Sequence, residues 1–155
     1  MLEQAKIVES EEEGIKMLQK VIDDGSALNK LKEMVKAQGG DVSYIEHPEK
    51  FELSKHIVEV KANKDGYVKR IVALEIGESA MRLGAGRETF DDVIDMSAGI
   101  VLNKKVGDKV KKGETLCVVH TNKDEFASIL KDIENSFIIV DEFVEVPPTV
   151  HDYIH

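Results

Sequence analysis

The stretch "VGDKVKKGETL", residues 106–116, constrains the fold of this chain more than any other segment. Gly107-Asp108 and Gly113-Glu114 lie six residues apart within it, between apolar positions. Glycine adopts positive φ at no steric cost, so this spacing predicts two sharp chain reversals joined by one very short strand. We therefore predict a tight β-corner with structural turns at Gly107, Asp108 and Gly113, whose lysines and acids are solvated.

The composition is that of a foldable, acidic protein. Its 155 residues are enough for one good core or two small ones, and 42% of them are hydrophobic. The formal net charge of -9 argues against nucleic-acid and anionic-membrane partners, which need clustered lysine and arginine. No apolar run approaches the roughly 20 residues of a membrane span, and no signal peptide opens the chain. We expect a cytoplasmic protein.

The reactive side chains suggest no catalytic set, no metal site and no cofactor. Cys117 is the only cysteine, which excludes an internal disulfide, and its apolar neighbours predict a buried, inert thiol. No histidine has a zinc-protease spacing or a nucleophile in an evident elbow, and there is no Walker-type phosphate loop. The histidines are His47, His56, His120, His151 and His155.

The first 42 residues have the periodicity of two amphipathic helices that form a hairpin. Ser10 with Glu13 has the spacing of a capping box, and Ser26 is the expected cap of the second helix. Gly25 and Gly39 suit the helix ends. Two such short helices cannot bury their apolar stripes alone, so they must pack on something else. The stripes contain Ile15, Leu18, Val21, Ile22, Leu28, Leu31, Met34 and Val35.

After a predicted linker loop over residues 43–54, the apolar period changes to that of strands. Asp65-Gly66 predicts a tight hairpin turn, with the following strand running on through "IVALEIG". A helix is expected over residues 123–135, followed by a short buried strand "FIIV". Residues 55–155 are therefore predicted to be a β-rich C-terminal domain with one helix.

Two segments of this domain have a weak internal similarity. Both "DGYVKRIVALEIG" and "AGIVLNKKVGD" run from glycine through a β-branched pair to a strand that ends in glycine. Two such halves can interlock. The predicted fold class is α+β: an N-terminal helical hairpin, then a small barrel-like or sandwich β unit with an added helix, as part of a larger α/β domain.

The loop "LGAGRETFDD" is the one candidate for anion binding. Gly84 and Gly86 would let backbone N–H groups approach an anion, and Arg87 would add a fork of donors. A single Gly-x-Gly is a weak signal. The favoured interpretation is a structural loop in which Arg87 pairs with Asp91 or Asp92.

Two other functions are compatible with the corner. Biotinyl and lipoyl carrier domains place a modifiable lysine soon after a similar turn, and Lys123 lies near that place. The helical spacing after Lys123 disfavours a carrier, because the carrier hairpin returns at once as a strand. The other function is an interaction module that docks an acidic surface through the local lysines, among them Lys111 and Lys112.

Four phrases taken in order are more specific than any motif alone. "KEMVKAQGGD", "DGYVKRIVALEIGESAMRLGAGR", "IDMSAGIVLNKKVGDKVKKGETL" and "VVHTN" resemble the C-terminal portion of the pyrimidine-nucleoside phosphorylases, the family that includes thymidine phosphorylase. The resemblance runs from the first helix to about Ile139. Since no helix N-cap residue precedes Leu2, the sequence after Met1 resembles the middle of a helix, and we expect a truncated sequence.

The resemblance implies an activity and partners. Such enzymes convert a pyrimidine nucleoside and phosphate into free base and pentose 1-phosphate. They are homodimers with a small helical and a larger α/β domain, and their phosphate- and base-binding residues belong to the N-terminal part. No catalytic or substrate-binding residue is therefore carried over, and the family motif that contains Gly84, Gly86 and Arg87 is interpreted as structural. The expected partner is the N-terminal part of the same enzyme, without which this portion should be inactive.

Overall fold

The computed structural model describes residues 1–150, and the chain divides into two compact units, Met1–Phe51 and a second unit from Glu52 onward. Helices and antiparallel sheets are both present, so the fold class is α+β as predicted. The helices are α1 (Glu11–Asp23), α2 (Ser26–Ala37), α3 (Ser43–Glu46), α4 (Ala73–Ala80) and α5 (Ala127–Ser136). The strands are β1 (His56–Lys61), β2 (Gly66–Ile71), β3 (Gly99–Leu102), β4 (Lys109–Val110), β5 (Thr115–Thr121) and β6 (Phe137–Val140).

The first unit contains the two amphipathic helices. At the start of α1 the Ser10 hydroxyl accepts the N–H of Glu13 at 3.3 Å, and the Glu13 carboxylate accepts the N–H of Glu9 at 3.0 Å. The second cap differs from the prediction. Gly25, with φ of 75°, occupies the N-cap of α2, and Ser26 lies inside the helix with its hydroxyl directed to the Val21 carbonyl. A turn this short leaves the cap position to the residue that tolerates positive φ.

The segment expected to be a linker loop has structure of its own. It contains α3 and a single 3-10 turn over Pro48–Lys50. The backbone N–H of Ser43 donates to the Asp41 carboxylate at 2.8 Å, and Lys32 pairs with Glu46 at 2.9 Å. The first bond satisfies a backbone N–H at the start of this four-residue helix, and the second ties its end to α2.

The second unit holds two three-stranded sheets, with orders β1-β5-β3 and β4-β2-β6. Every pairing between strands is antiparallel. The predicted hairpin at Asp65-Gly66 is wrong, because β1 and β2 belong to different sheets. The turn still requires glycine: Gly66 has φ of 149°, and a Cβ there would lie 2.3 Å from the Val140 carbonyl oxygen.

Two other boundaries differ from the prediction. The strand expected to run through "IVALEIG" ends at Ile71, and α4 begins at Ala73. Ala73, Leu74 and Glu75 are good helix formers, and they outweigh the β-like apolar alternation. Helix α5 begins at Ala127 rather than at residue 123.

Each of the two predicted turns of the corner extends the pairing of one sheet, the Gly107 turn beside β2 and the Gly113 turn beside the end of β1. Gly107 donates its N–H to the Val68 carbonyl at 2.8 Å, and Val68 returns a bond to the Asp108 carbonyl at 2.9 Å. The second turn repeats this exchange with Ala62: Gly113 donates to the Ala62 carbonyl at 2.8 Å, and Ala62 donates to the Glu114 carbonyl at 2.8 Å.

The core of this unit lies between the sheets and α5. Val68, Cys117, Val119 and Ile133 are fully buried there, as is Leu83 in the π-helical turn after α4. The other members are Val60, Ala62, Val110, Leu116, Ile129, Phe137 and Ile139.

Candidate functional site

The glycine-rich loop begins in the π-helical turn over Met81–Ala85 and continues to the start of β3 at Gly99. Gly84 has φ of 116°, and its carbonyl accepts the N–H of Asp95 at 2.9 Å. A Cβ at Gly84 would lie 3.3 Å from Asp95 Cβ and 3.5 Å from Ala98 Cβ. The glycine is therefore required both by its backbone conformation and by the close approach of the returning chain.

Gly86 and Arg87 have different surroundings. Gly86 is extended, but a Cβ there would lie 3.0 Å from Met81 Cγ, so this position needs a small residue for packing. The Arg87 side chain is exposed and forms no ion pair with any of residues 1–150. The expected pair with Asp91 or Asp92 is not formed. The Asp92 carboxylate instead accepts the N–H groups of Glu88 and Thr89 at 2.9 and 2.8 Å.

A polar network that the sequence did not suggest holds the far end of this loop. Asn122, just after β5, donates to Asp95 at 2.8 Å and to the Ser97 hydroxyl at 3.0 Å. Its side-chain oxygen accepts the N–H of Lys55 at 2.6 Å. The buried Ser54 donates its hydroxyl to the Ser97 carbonyl at 2.6 Å. The network thus ties the loop to the ends of β1 and β5.

Asp95 is the anion at the centre of this network. Its carboxylate accepts the Ser97 hydroxyl at 2.7 Å and the Ser97 N–H at 2.9 Å, and these bonds hold the pKa of Asp95 below its ordinary value. The only sequence signal was Asp-x-Ser, a common turn pattern. The partner Asn122 lies 27 positions away, which no local pattern reveals.

The lysine-rich corner, residues 104–112, contains five lysines and one acid. Lys104 pairs with Glu114, and the bond, together with the N–H of Lys111, holds the pKa of Glu114 below its ordinary value. Lys109 places its ammonium 5.8 Å from the centre of the Tyr67 ring. The corner is a surface with excess positive charge rather than a cavity.

Lys123 follows β5 and donates its backbone N–H to the Thr121 hydroxyl at 3.1 Å. The chain then enters α5, whereas a carrier domain would return as a strand at once. This arrangement does not favour the carrier function.

The remaining reactive groups form no catalytic set in the described part of the chain. Cys117 is buried, and burial raises its pKa to about 11, so the thiol is inert as predicted. The bond from Lys55 and the one from His56, which lies 3.3 Å away, hold the pKa of Asp124 below its ordinary value. No three histidine, cysteine or acidic side chains among residues 1–150 are grouped to hold a metal ion. His151 and His155 lie outside the described residues.

None of the helices within residues 1–150 combines the length and the apolar character that crossing a membrane requires.

Comparison with known proteins identifies the family. Residues 67–140, from β2 to the end of β6, match the family model described as "Pyrimidine nucleoside phosphorylase C-terminal domain". The chain contains a domain of the pyrimidine-nucleoside phosphorylase family. The matched range includes the glycine-rich loop and both turns of the corner, which confirms the predicted resemblance.

Curated relatives extend the similarity over nearly the whole chain. A pyrimidine-nucleoside phosphorylase of Staphylococcus epidermidis is 48% identical over 143 residues, which is 92% of this chain and 33% of the relative. One from Staphylococcus aureus is 43% identical over 150 residues, or 97% of this chain and 34% of the relative. The chain therefore spans about a third of the length of these relatives and corresponds to the C-terminal portion of the enzyme.

Proposed function

We propose that this chain serves as the supporting C-terminal portion of a pyrimidine-nucleoside phosphorylase. The complete enzyme would convert a pyrimidine nucleoside and inorganic phosphate into free base and pentose 1-phosphate in the cytoplasm. The observation that carries the proposal is the 48% identity with a phosphorylase over 92% of this chain. The described residues contribute no nucleophile, metal cluster or phosphate loop, so phosphate and nucleoside would be bound by the N-terminal part, and no activity is expected from this chain alone.

The fold supports the same division of labour. The reciprocal bonds at Val68 extend the sheet of β2 and β4, those at Ala62 extend the sheet of β1 and β5, and the chain between the two turns passes directly from one sheet to the other, which supports a small barrel-like sandwich. We propose that this sandwich, residues 55–155, is one domain and that the helical hairpin, residues 1–42, belongs to the larger α/β domain of the enzyme. The segment 43–54 would connect them.

The apolar faces of α1 and α2 are exposed, which supports the proposal that another part of the enzyme packs on the helical hairpin. Ile15, Leu18 and Ile22 are 57%, 51% and 65% exposed, and Leu28, Leu31 and Met34 are similarly open. Apolar stripes of this kind are buried in a stable protein. We propose that the N-terminal part of the enzyme covers them, and that the assembled enzyme is a homodimer.

Fragment complementation tests this function. Release of free base from uridine and thymidine in the presence of phosphate would be measured for this chain alone, and after mixing with an N-terminal fragment of the Staphylococcus epidermidis enzyme. We expect no release by the chain alone and release on mixing. As a matched control, Leu18→Asp and Ile22→Asp together should abolish recovery, whereas Lys16→Asp and Lys20→Asp on the same helix should not.

Two results would overturn the proposal. Release of base by the chain alone would mean that it holds its own phosphate and nucleoside site, and Arg87→Ala would then be the first variant to test. No release on mixing, although the two fragments form a complex by analytical ultracentrifugation, would mean that this chain does not support phosphorolysis.

A further inference from the structure

Four lysines of the lysine-rich corner are exposed, Lys105, Lys109, Lys111 and Lys112, but its Gly107 turn is covered. The chain that leaves β6 passes over this turn, and this tail segment, Asp141–Val146, has the sequence "DEFVEV". Three of its six residues are acidic, and the corner beneath it is basic. The tail contacts the Gly107 turn of the corner and the ring of Tyr67 in β2, which lies beside Lys109 of the corner.

The closest contact is at Gly107. A Cβ added there would lie 2.6 Å from Val146 Cγ2, 3.0 Å from Val146 Cα and 3.2 Å from its backbone nitrogen. Two of these atoms belong to the backbone, so no side-chain rotation could make room for a methyl group. Any side chain at Gly107 must therefore displace the tail.

The second contact is aromatic. The ring of Phe143 meets that of Tyr67 edge to face, with 5.5 Å between ring centres and 78° between ring planes. This is the geometry that aromatic pairs prefer. Two lysines lie near this contact. The Lys109 ammonium lies 5.8 Å from the centre of the same Tyr67 ring, and the Lys64 ammonium lies 3.8 Å from the Asp141 carboxylate. The tail is thus held by an aromatic contact with Tyr67, and its acids lie on the side of the domain that carries Lys64 and the lysines of the corner.

The tail is held loosely. Phe143 remains 74% exposed and Val146 66% exposed, and the Lys64–Asp141 pair lies in solvent, where such pairs contribute little. Few buried apolar contacts and open ion pairs mark a segment that detaches locally without unfolding the rest of the domain.

We propose that the lysine-rich corner and Tyr67 form a docking surface for an acidic segment with an aromatic anchor, and that the occupant in this chain is its own tail segment, which a second segment of the same chemistry can displace. The inference does not depend on phosphorolysis. It also accounts for the glycine at position 107 by a requirement that Gly113 does not share.

Gly113 supplies a matched control, because its turn is nearly the same. Gly107 and Gly113 have φ of 94° and 86°, and each donates its N–H to a backbone carbonyl at 2.8 Å, that of Val68 in β2 and that of Ala62 just after β1. The acid that follows each glycine accepts the N–H of the residue three positions earlier, at 2.7 Å for Asp108 and 2.9 Å for Glu114. The turns differ in that nothing lies within 4 Å of a Cβ at Gly113.

The first experiment compares Gly107→Ala with Gly113→Ala in the full chain. The nuclear Overhauser contact between the Tyr67 and Phe143 rings is measured in the folded protein. We expect Gly107→Ala to abolish it and Gly113→Ala to retain it, with both variants folded. Retention of the ring contact in Gly107→Ala, or its absence from the unmodified chain, would overturn the proposal. If Gly107→Ala does not fold, the peptide experiment below decides alone.

The second experiment tests displacement. The chain has no tryptophan, so Phe143→Trp places the one tryptophan of the variant in the tail, where it is excited apart from the three tyrosines. The peptide DEFVEVPPTV, which repeats residues 141–150, is titrated into this variant, and a scrambled peptide of the same composition is the control. Because a tethered segment competes at an effective concentration on the order of mM, half-displacement is expected at about that concentration.

We expect the DEFVEVPPTV peptide to shift the emission toward that of a solvent-exposed tryptophan, and the scrambled peptide to leave it unchanged. Equal shifts with both peptides would mean that the peptides bind by non-specific charge attraction, and this would overturn the proposal. No shift at several mM peptide would overturn displacement. An emission already fully exposed before titration, with the Tyr67–Phe143 ring contact also absent from the unmodified chain, would show that the tail does not occupy the corner.

Discussion

At the scale of single residues, the three residues of the anion-loop candidate have three separate reasons to be what they are. Gly84 has a positive φ of 116° and lies against Asp95, Gly86 lies against Met81, and Arg87 extends into solvent. The sequence analysis grouped these three residues as one candidate site because they are neighbours in the chain. The structure separates two packing requirements from one cation that pairs with none of residues 1–150, so their substitutions should have different effects.

We predict that Gly84→Ala lowers the free energy of unfolding by about 1–3 kcal/mol, because alanine is strained at this φ and crowds Asp95. Arg87→Ala should change it by less than about 0.5 kcal/mol, as expected for an exposed side chain. Urea unfolding, monitored by the rate at which the buried Cys117 thiol is labelled, measures the free energy of unfolding of both variants. Gly77→Ala is the control: nothing lies within 4 Å of a Cβ there, and alanine in α4 should stabilise by about 0.5–1 kcal/mol. Loss of stability in Arg87→Ala would contradict this division.

At the scale of elements, β1 and β5 are joined at one end by side chains rather than by a turn. Asn122 connects Lys55 at the start of β1 with Asp95 and Ser97 at the end of the loop. Because Ser54 and Thr121 are buried beside it, their hydroxyls need partners, and they reach the carbonyls of Ser97 and Leu83 at 2.6 and 2.7 Å. The loop is thus fixed at both ends, with its exposed tip between them.

This network should make stability depend on pH in the acid range. The pKa of Asp95 is lower in the folded chain than its ordinary value of 3.8, so its contribution is complete above that value and is lost as pH falls through the lower folded pKa. We predict that Asp95→Asn is less stable than the unmodified chain at pH 7 and that the difference shrinks as pH falls below about 4. Thermal unfolding between pH 7 and pH 3 measures it.

The neighbouring Asp91 gives a matched control, because its side chain forms no hydrogen bond with any of residues 1–150. Asp91→Asn should leave the pH profile unchanged. A constant difference between Asp95→Asn and the unmodified chain from pH 7 to pH 3 would show that the carboxylate charge of Asp95 does not stabilise the loop.

At the scale of the whole molecule, the two units differ in how well they are packed. Helix α2 contains no buried residue, and α1 contains only Gly14. In β5 the buried positions are Leu116, Cys117, Val119 and Thr121. A unit with so little burial has little tertiary packing to oppose the conformational entropy of its helices.

We predict that backbone amides of α1 and α2 exchange hydrogen at least about a hundredfold faster than those of β5, since local opening of a poorly packed unit costs little free energy. Hydrogen exchange followed by mass spectrometry measures this in the full chain. On addition of an N-terminal fragment of a relative, protection should rise in α1 and α2 and stay constant in β5. Equal protection of all three elements in the chain alone would contradict the prediction.

Much of the local structure follows from the sequence, because its signals are short-range. Apolar residues three and four apart determine α1 and α2, and a glycine followed by an acid determines the turns at Gly107 and Gly113. The ordered phrases determined the family, which the match over residues 67–140 confirms. Even the inertness of Cys117 follows from its neighbours.

Tertiary structure alone decided which strands pair and which distant polar groups meet. Alternation shows that β1 and β2 are strands, but the same alternation suits a hairpin or two sheets, and only packing against β5 and β6 selects the latter. Asn122 binds Asp95, and Val146 contacts Gly107, although each pair is too far apart in the sequence for local propensity to predict the contact. The sequence thus determined α1, α2 and the two turns of the corner, because backbone preference acts over a few residues. The sheet order, the polar network and the tail on the corner depend on burial and hydrogen bonding, which act only once the chain is folded.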